Sequence, residues 1–220
     1  MIYSNARLAR AYAVDRPPIH ALALASVAMP HVELALDIGC GAGLSAHALL
    51  PYASHVIGVD PAPTMLAAAR PADRLSLLVA RAEALPFPDN SFGLVTAAGS
   101  LNYADRSVAV PEILRVLQPG GTFVVYDFSC ASLPSWWTAF EERYPSAPGY
   151  EMDRLPELSY VDVNVTHPMT LEEFVRYAMS ETDTVEGVEE WCRETLRPVI
   201  GSSPLEVSFS GYVASRVFGS

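Results

Sequence analysis

The sequence contains no lysine, and all 14 of its basic residues are arginine. Catalysis through a lysine Schiff base or a lysine general base is therefore excluded. Acidic residues number 25, which gives a net charge of −11. The excess lies mainly in residues 131–220, where 15 acids stand against 6 arginines. Because such a surface repels nucleic acids and anionic membranes, we expect neither as a partner and expect a small molecule or a protein instead.

Cysteine is also scarce. The three cysteines are Cys40, Cys130 and Cys192. An odd count without C-x-x-C spacing argues against a disulfide framework or a zinc site, and it favours a reducing compartment. The longest apolar run, residues 21–29, is far shorter than the roughly 20 residues of a membrane span, and Arg7 and Arg10 interrupt any secretory signal. These features predict a cytoplasmic protein without a metal.

The most informative stretch begins at Glu33. Residues 33–38 predict a buried strand, residues 39–43 form a glycine turn, and residues 44–50 predict a helix. A second strand follows at residues 56–59 and ends on Asp60. A strand, a glycine turn and a helix are the front of a nucleotide-binding βαβ unit, and a carboxylate after the second strand suits the hydroxyls of a ribose.

The spacing of the glycines indicates which nucleotide. A dinucleotide fingerprint needs G-x-G-x-x-G, and Leu44 stands where the third glycine belongs. The acidic Asp37 at the end of the strand suits a cation better than a pyrophosphate. A ligand with a ribose, no phosphate and positive charge fits better, and S-adenosylmethionine has these properties. A nicotinamide-dependent oxidoreductase is disfavoured on the same ground.

Three stretches resemble a known family. Residues 36–43 (LDIGCGAG) closely resemble the first motif of class I S-adenosylmethionine-dependent methyltransferases. Residues 81–95 (RAEALPFPDNSFGLV) are similar to the A-E-x-L-P-F-x-D-x-S-F-D-x-V run of the subgroup with ubiquinone and menaquinone C-methyltransferases, the Methyltransferase domain 11 type. Residues 112–121 resemble its E-x-x-R-V-L-K-P-G-G segment. The chain departs at Arg81 and Gly93, where that subgroup commonly has Asp.

The resemblance implies a Rossmann-like α/β class I methyltransferase fold, a mixed seven-stranded sheet with helices on both faces. Further predicted strands are residues 75–80, 94–98 and 122–128, and residues 107–117 predict a helix. Near the end, residues 205–209 and 212–218 alternate around Gly211 and predict the antiparallel C-terminal hairpin of this fold.

We expect one methyltransferase domain over residues 1–220. Its predicted parts are an N-terminal helical cover (1–32, with helices over 3–14 and 18–29), a cofactor-binding core (33–128), a substrate-side insertion (131–168) and C-terminal helices with the hairpin (169–220). The insertion is rich in proline and aromatic residues, which suits either a lid over an acceptor or a small satellite core. A capping box at Thr170 predicts a helix start.

The resemblance also implies site residues. The predicted cofactor-binding residues are Tyr12, Asp37, Gly39, Cys40, Gly41, Asp60, Pro61, Met65, Arg81, Ala82, Glu83, Ala98 and Gly99. For Tyr12 and Met65 ordinary core packing is an open alternative. The predicted substrate-pocket residues are Asn102, Tyr103, Trp136 and Trp137. The catalytic candidates are Tyr103 and His167, the latter as a proton acceptor or as a purely structural residue.

The implied reaction is methyl transfer from S-adenosylmethionine to a small-molecule acceptor by in-line displacement, with S-adenosylhomocysteine as the product. Orientation supplies most of the catalysis in such a step, so a general base is needed only where the acceptor must lose a proton. The alternative is a non-catalytic S-adenosylmethionine-binding regulatory protein on the same fold, with an obstructed acceptor pocket. The sequence leaves both a monomer and a homodimer open.

Overall fold

The computed structural model describes residues 6–130, 134–144, 155, 157–182, 186–200 and 204–219. The helices are α1 (Ala6–Asp15), α2 (Ile19–Ala25), α3 (Leu44–Ala48), α4 (Pro63–Leu66), α5 (Arg106–Val116), α6 (Pro134–Arg143), α7 (Leu171–Ser180) and α8 (Val188–Ile200). The strands are β1 (Val32–Ile38), β2 (Ala53–Asp60), β3 (Leu75–Val79), β4 (Phe92–Ala98), β5 (Leu117–Cys130), β6 (Ser159–Met169) and β7 (Leu205–Val217).

The strands form one mixed seven-stranded sheet in the order β3-β2-β1-β4-β5-β7-β6. The strands from β3 to β5 pair in parallel, whereas β7 is antiparallel to both β5 and β6. The predicted fold class is therefore confirmed. The strand order reverses between β1 and β4, and such a reversal opens a crevice at the carboxyl ends of parallel strands.

Alternation along the strands builds a core on each face of the sheet. On β1, Leu36 packs in one cluster with α5, while Ala35 packs in a second cluster with α2 and α3. On β5, Val125 and Val124 divide between the clusters in the same way. Successive residues of a strand point to opposite faces, so helices cover the sheet on both sides.

The predicted C-terminal hairpin is wrong in its position. Residues 205–217 form one continuous strand, β7, and the antiparallel partner next to it is β6, which lies before α7 and α8. Gly211 is not a turn but lies inside β7 opposite Phe128. A Cβ atom on Gly211 would lie 2.0 Å from the carbonyl oxygen of Asp127, so glycine allows β7 to pass close to β5 here.

The predicted insertion over residues 131–168 contains helix α6 and nearly all of strand β6, so part of it belongs to the sheet. Phe140 and Tyr144 on and after α6 are buried against Phe174 of α7 and Phe209 of β7. These aromatic side chains therefore form a satellite core, one of the two alternatives. The capping box at Thr170 is present and begins α7.

Helix α1 lies over the crevice, whereas α2 packs on one face of the sheet. Ala9 and Ala13 of α1 pack against Ala42 of the glycine turn and Met65 of α4. Arg7 ties the same helix to the end of α7 by donating from Nη2 to the Thr182 carbonyl at 2.7 Å. Among the described helices, none is both long and apolar enough to span a lipid bilayer.

Candidate functional site

The glycine turn after β1 has a backbone that only glycine adopts easily. Gly39, Gly41 and Gly43 have φ angles of 67°, 53° and 84°. A Cβ on Gly39 would lie 2.3 Å from the Cβ of Ser100, which follows β4. The turn is also tied to β2, because the amide of Cys40 donates to the Val59 carbonyl at 3.0 Å. Backbone angles and crowding together fix the loop at the crevice.

Asp37 supports this turn from below and does not line the cavity. It is fully buried, and its carboxylate accepts hydrogen bonds from Ser45 at 2.5 Å and Thr96 at 2.7 Å. Burial raises the pKa of Asp37 to about 7, against the opposing effect of the two hydroxyl donors. The structure therefore does not place Asp37 with the predicted ligand-contacting residues, because its oxygens face inward to hold α3 and β4.

Asp60 at the end of β2 is placed as predicted. Its carboxylate accepts the amide of Gly41 at 2.9 Å and the amide of Ala62 at 2.8 Å. Burial raises the pKa of Asp60, while both amide donors act in the opposite direction. Each carboxylate oxygen keeps a further lone pair. Asp60 is thus a fixed double acceptor at the edge of the cavity, as recognition of two adjacent hydroxyls requires.

One cavity of about 1110 Å³ opens at the crevice between β1 and β4. It brings together every predicted cofactor-binding residue except Asp37. Those residues are Tyr12, Gly39, Cys40, Gly41, Asp60, Pro61, Met65, Arg81, Ala82, Glu83, Ala98 and Gly99. At one end Arg81 forms an ion pair with Glu83 at 3.1 Å, and Glu83 also accepts the amide of Asp105 at 3.0 Å. Glu83 therefore fixes the loop that borders this end.

Only some of the predicted substrate-pocket and catalytic residues line the cavity. Asn102 and Tyr103 line the cavity, and Tyr103 is 53% exposed at its rim. Trp136 and Trp137 belong to α6, but their side chains lie outside the described part of the structure. His167 lies on β6 opposite Val207 and is not among the residues that line the cavity. The structure therefore does not bring His167 to the site, because strand β6 is at the far edge of the sheet.

The far end of the cavity contains side chains that the sequence analysis missed. They are Arg16, His20, Tyr126, Asp127, Glu141 and Glu181. Arg16 pairs with Glu181 at 2.8 Å, and its guanidinium lies 3.7 Å from the centre of the Tyr12 ring. This pair joins α1 to α7 across the cavity wall.

His20 and Tyr126 form a buried pair at this end. The Nδ1 atom of His20 and the hydroxyl of Tyr126 are 3.1 Å apart. Burial lowers the pKa of His20 to about 3, so the imidazole is neutral at physiological pH. The pair therefore adds no charge to the cavity.

A signal for Asp127 was present in the sequence. Like Asp37 and Asp60, it stands near the carboxyl end of an apolar strand, where the ligand crevice of an α/β sheet lies. The sequence analysis predicts only a strand over residues 122–128 and does not include its single carboxylate among the site residues. Arg16 and Glu181 gave no such signal, since only the packing of α1 against α7 brings them together.

A mixed seven-stranded sheet with β7 inserted antiparallel between β5 and β6, a glycine turn after β1 and an acidic residue after β2 match the class I S-adenosylmethionine-dependent methyltransferase fold. Residues 36–125 match the family model described as Methyltransferase domain. This central part of the chain is therefore similar to that family, as the three sequence motifs predicted.

Curated relatives are similar to less than half of the chain. A demethylmenaquinone methyltransferase of Thermus thermophilus is 46% identical over 101 residues, which cover 42% of this chain and 46% of the relative. A ubiquinone/menaquinone biosynthesis C-methyltransferase of Geobacter sulfurreducens is 39% identical over 105 residues, 43% of this chain and 41% of the relative. The chain thus matches less than half the length of each.

The fold as a whole is similar to a solved structure. That of a proposed type II methyltransferase from Anaeromyxobacter dehalogenans aligns with a TM-score of 0.65 and 21% identity, covering 91% of this chain and 96% of the other. At that identity the likeness concerns the fold. The family model ends at residue 125, so the far-end residues Tyr126, Asp127, Glu141 and Glu181 lie beyond it.

Proposed function

We propose that this protein is an S-adenosylmethionine-dependent methyltransferase that transfers a methyl group by in-line displacement to a small-molecule acceptor. Its methyl donor is S-adenosylmethionine, and its product is S-adenosylhomocysteine. The observation that carries the proposal is one cavity that is lined both by the glycine turn and Asp60 and by Tyr103 and Asp127. Its volume of about 1110 Å³ lies above the roughly 300–1,000 Å³ of a typical ligand pocket.

The residues around the glycine turn fit the cofactor. Asp60 offers two fixed acceptor oxygens for the ribose hydroxyls. The turn from Gly39 to Gly43 allows close approach of the methionine part, and the segment Arg81–Glu83 borders the place for adenine. When bound, the cofactor supplies a methyl group on a positively charged sulfur. The protein has to hold donor and acceptor in line and exclude water, and α1 with Tyr12 covers the cavity for that purpose.

The non-catalytic alternative is not favoured. An obstructed acceptor pocket would be its mark, whereas the cavity here continues past Gly99 and Asn102 to Asp127 and Glu181. Space for a second ligand next to the cofactor is what a transferase needs and a simple binding protein does not.

The acceptor itself does not follow from the relatives. Their names refer to demethylmenaquinone and to ubiquinone and menaquinone biosynthesis, but the matched part of this chain is the cofactor part. We therefore keep the acceptor as a small molecule, with neither a nucleic acid nor a membrane as partner, and a monomer or homodimer as the working form. The free thiols of Cys40, Cys130 and Cys192 fit the cytoplasmic location that we propose.

Calorimetric titration of the purified protein with S-adenosylmethionine and S-adenosylhomocysteine tests the proposal. We expect a micromolar dissociation constant, about −8 kcal/mol, and a loss of at least about tenfold in Asp60→Ala because the charged acceptor is removed. Asp162→Ala, which removes an exposed aspartate on β6, is the matched control and should bind normally. Absence of binding to the wild-type protein would end the methyltransferase proposal.

A further inference from the structure

Asp127 lies at the point where the cofactor end of the cavity meets its far end. A Cβ atom on Gly99 would be 3.1 Å from Oδ1 of Asp127, so this carboxylate lies directly against the backbone at the end of β4. Ala98 and Gly99 line the cavity there, in the crevice at the carboxyl ends of the strands. The carboxylate therefore borders the space between the two ligands that the proposed reaction requires.

The hydrogen bonds of Asp127 leave acceptor capacity at this point. Oδ1 accepts the amide of Phe128 at 2.8 Å, while Oδ2 receives only a long contact of 3.4 Å from Nδ2 of Asn102. The other side-chain atom of Asn102, the buried Oδ1, accepts no hydrogen bond from any described residue. The amide must turn its NH₂ group toward the carboxylate, because two oxygens would repel. Oδ2 of Asp127 therefore keeps acceptor capacity for a donor from the cavity, whereas Oδ1 of Asn102 has no surface exposed to it.

The contrast with the other carboxylates of the site is clear. Asp37 accepts two hydroxyl donors, and Asp60 accepts two backbone amides at normal distances. Asp127 has one such bond. Burial raises its pKa, with the Phe128 and Asn102 donors acting in the opposite direction. Among the described carboxylates of the cavity, Asp127 combines this burial with an incompletely bonded oxygen.

The charge of the far end points in the same direction. Its described lining contains the carboxylates of Asp127, Glu141 and Glu181 and the guanidinium of Arg16. Since Arg16 pairs with Glu181 at 2.8 Å, the negative charges of Asp127 and Glu141 are not balanced by a cation in that lining. A cleft lined by one sign of charge concentrates ligands of the opposite sign and repels those of the same sign.

We propose that the acceptor is a small amine, and that its nitrogen is held by Oδ2 of Asp127. This inference rests on the proposed function and names the acceptor class of the same site. Anionic acceptors, such as carboxylates and phosphates, are disfavoured by the same carboxylate and by Glu141. An ammonium group supplies the N–H donor that Oδ2 of Asp127 lacks, and charge-assisted hydrogen bonds of this kind are the strong ones.

The same carboxylate serves as the proton acceptor. An ammonium has no lone pair, so it first gives one N–H proton to the Asp127 carboxylate, which becomes a carboxylic acid. The freed lone pair then forms the C–N bond to the methyl carbon. The C–S bond breaks with its electron pair remaining on sulfur, which becomes the neutral thioether of S-adenosylhomocysteine. Asp127 returns its proton to water.

Sinefungin provides a test that does not depend on knowing the acceptor. It is an analogue of S-adenosylhomocysteine in which a carbon bearing an amine replaces the sulfur, so its ammonium group occupies the transfer position. Calorimetry should show that the wild-type protein binds sinefungin at least about tenfold more tightly than S-adenosylhomocysteine. Asp127→Asn should abolish this preference, measured as the ratio of the two dissociation constants in the same variant. Asp162→Asn, with the same change at an exposed site on β6, should keep the preference.

The outcomes separate the two proposals. If the wild-type protein fails to bind S-adenosylhomocysteine, the proposed function itself fails. If it binds but the preference for sinefungin is absent or survives in Asp127→Asn, the assignment to Asp127 is overturned.

A second arm uses labelled methyl transfer from S-adenosylmethionine to tryptamine and phenethylamine, each paired with the carboxylate of the same skeleton. Label in the amines that is lost in Asp127→Asn supports the proposal, and label in a carboxylate overturns it.

Discussion

The two ends of the cavity are built from different materials. At the cofactor end, backbone geometry dominates: Gly39 and Gly41 have positive φ angles, and Asp60 is held by two backbone amides. At the far end, which is the acceptor end in our proposal, the contacts are between side chains far apart in sequence, such as Arg16 with Glu181 and His20 with Tyr126. The cofactor that we propose would therefore contact mainly a fixed backbone, whereas the proposed acceptor would contact side chains that can differ between relatives.

The largest expected effect concerns the glycine turn at the cofactor end of the cavity. Gly39→Ala places a Cβ 2.3 Å from that of Ser100 at a φ of 67°, so the turn or β4 must move. We expect the affinity for S-adenosylhomocysteine to fall by about 100-fold or more, measured by calorimetry, because a displacement of about 1 Å at a site has effects of this size.

Gly120→Ala is the matched control for that prediction. Gly120 has a φ of 77°, but a Cβ there would have nothing within 4 Å. This variant carries only the backbone strain, about 1–2 kcal/mol of unfolding free energy, and should bind normally. Equal losses of affinity in both variants would show that general destabilisation, and not crowding at the turn, is responsible.

A medium effect concerns Asp37 beneath the turn. Burial raises its pKa to about 7, so the folded state holds a proton that the unfolded state releases near pH 4. The unfolding free energy contributed by this group therefore falls as the pH rises from about 4 to 7 and is constant above that range. The unfolding free energy of Asp37→Asn, relative to that of the wild type, should therefore rise by roughly 2 kcal/mol between pH 5 and 7.

Urea unfolding of both proteins from pH 5 to 8 measures this difference. Asp15, Asp60 and Asp127 also have raised pKa values and remain in both proteins, so only the change in slope belongs to Asp37. Identical slopes for the two proteins would contradict the prediction.

The smallest effect concerns the acceptor end. Glu181→Gln leaves the partly buried Arg16 without its carboxylate partner and should lower the unfolding free energy by about 1 kcal/mol. The affinity for S-adenosylhomocysteine should fall slightly as well, because Arg16 lies on the ring of Tyr12, which covers the cavity. Thermal and urea unfolding with calorimetry measure both quantities.

The control for this pair is Glu189→Gln. Glu189 pairs with Arg193 on the surface of α8 at 2.8 Å, with its side chain 58% exposed. Its loss should change the unfolding free energy by less than about 0.5 kcal/mol. A Glu181→Gln variant that is no less stable than Glu189→Gln would show that the α1–α7 pair does not contribute to holding the acceptor end together.

The same contrast explains what the sequence could predict. The turn at Gly39–Gly43 and Asp60 lie within one short stretch, and the physical requirements of glycine and of a carboxylate after a strand are local. The parallel strands and the mixed sheet followed from apolar runs separated by helices.

Local sequence patterns could not predict which distant strands pair or where that pairing places a side chain. Alternation around Gly211 indicated a hairpin, since nothing nearby in sequence shows that this glycine lies against β5. His167 was singled out as an isolated histidine, yet register places it at the sheet edge. Asp37 belongs to the first motif, but its carboxylate faces inward because Ser45 and Thr96 donate hydrogen bonds to its two oxygens.

The position of β7 also bears on how the chain is made. In the sheet, β7 lies between β5 and β6, although it is the last of the three to be synthesised. Strand β6 ends at Met169 and β7 begins at Leu205, so β6 has no strand to pair with until β7 leaves the ribosome. The parallel strands up to β5 precede both. We therefore expect the parallel strands β1–β5 to form first during translation. The pairing of β7 with β5 and β6 should follow later and more slowly.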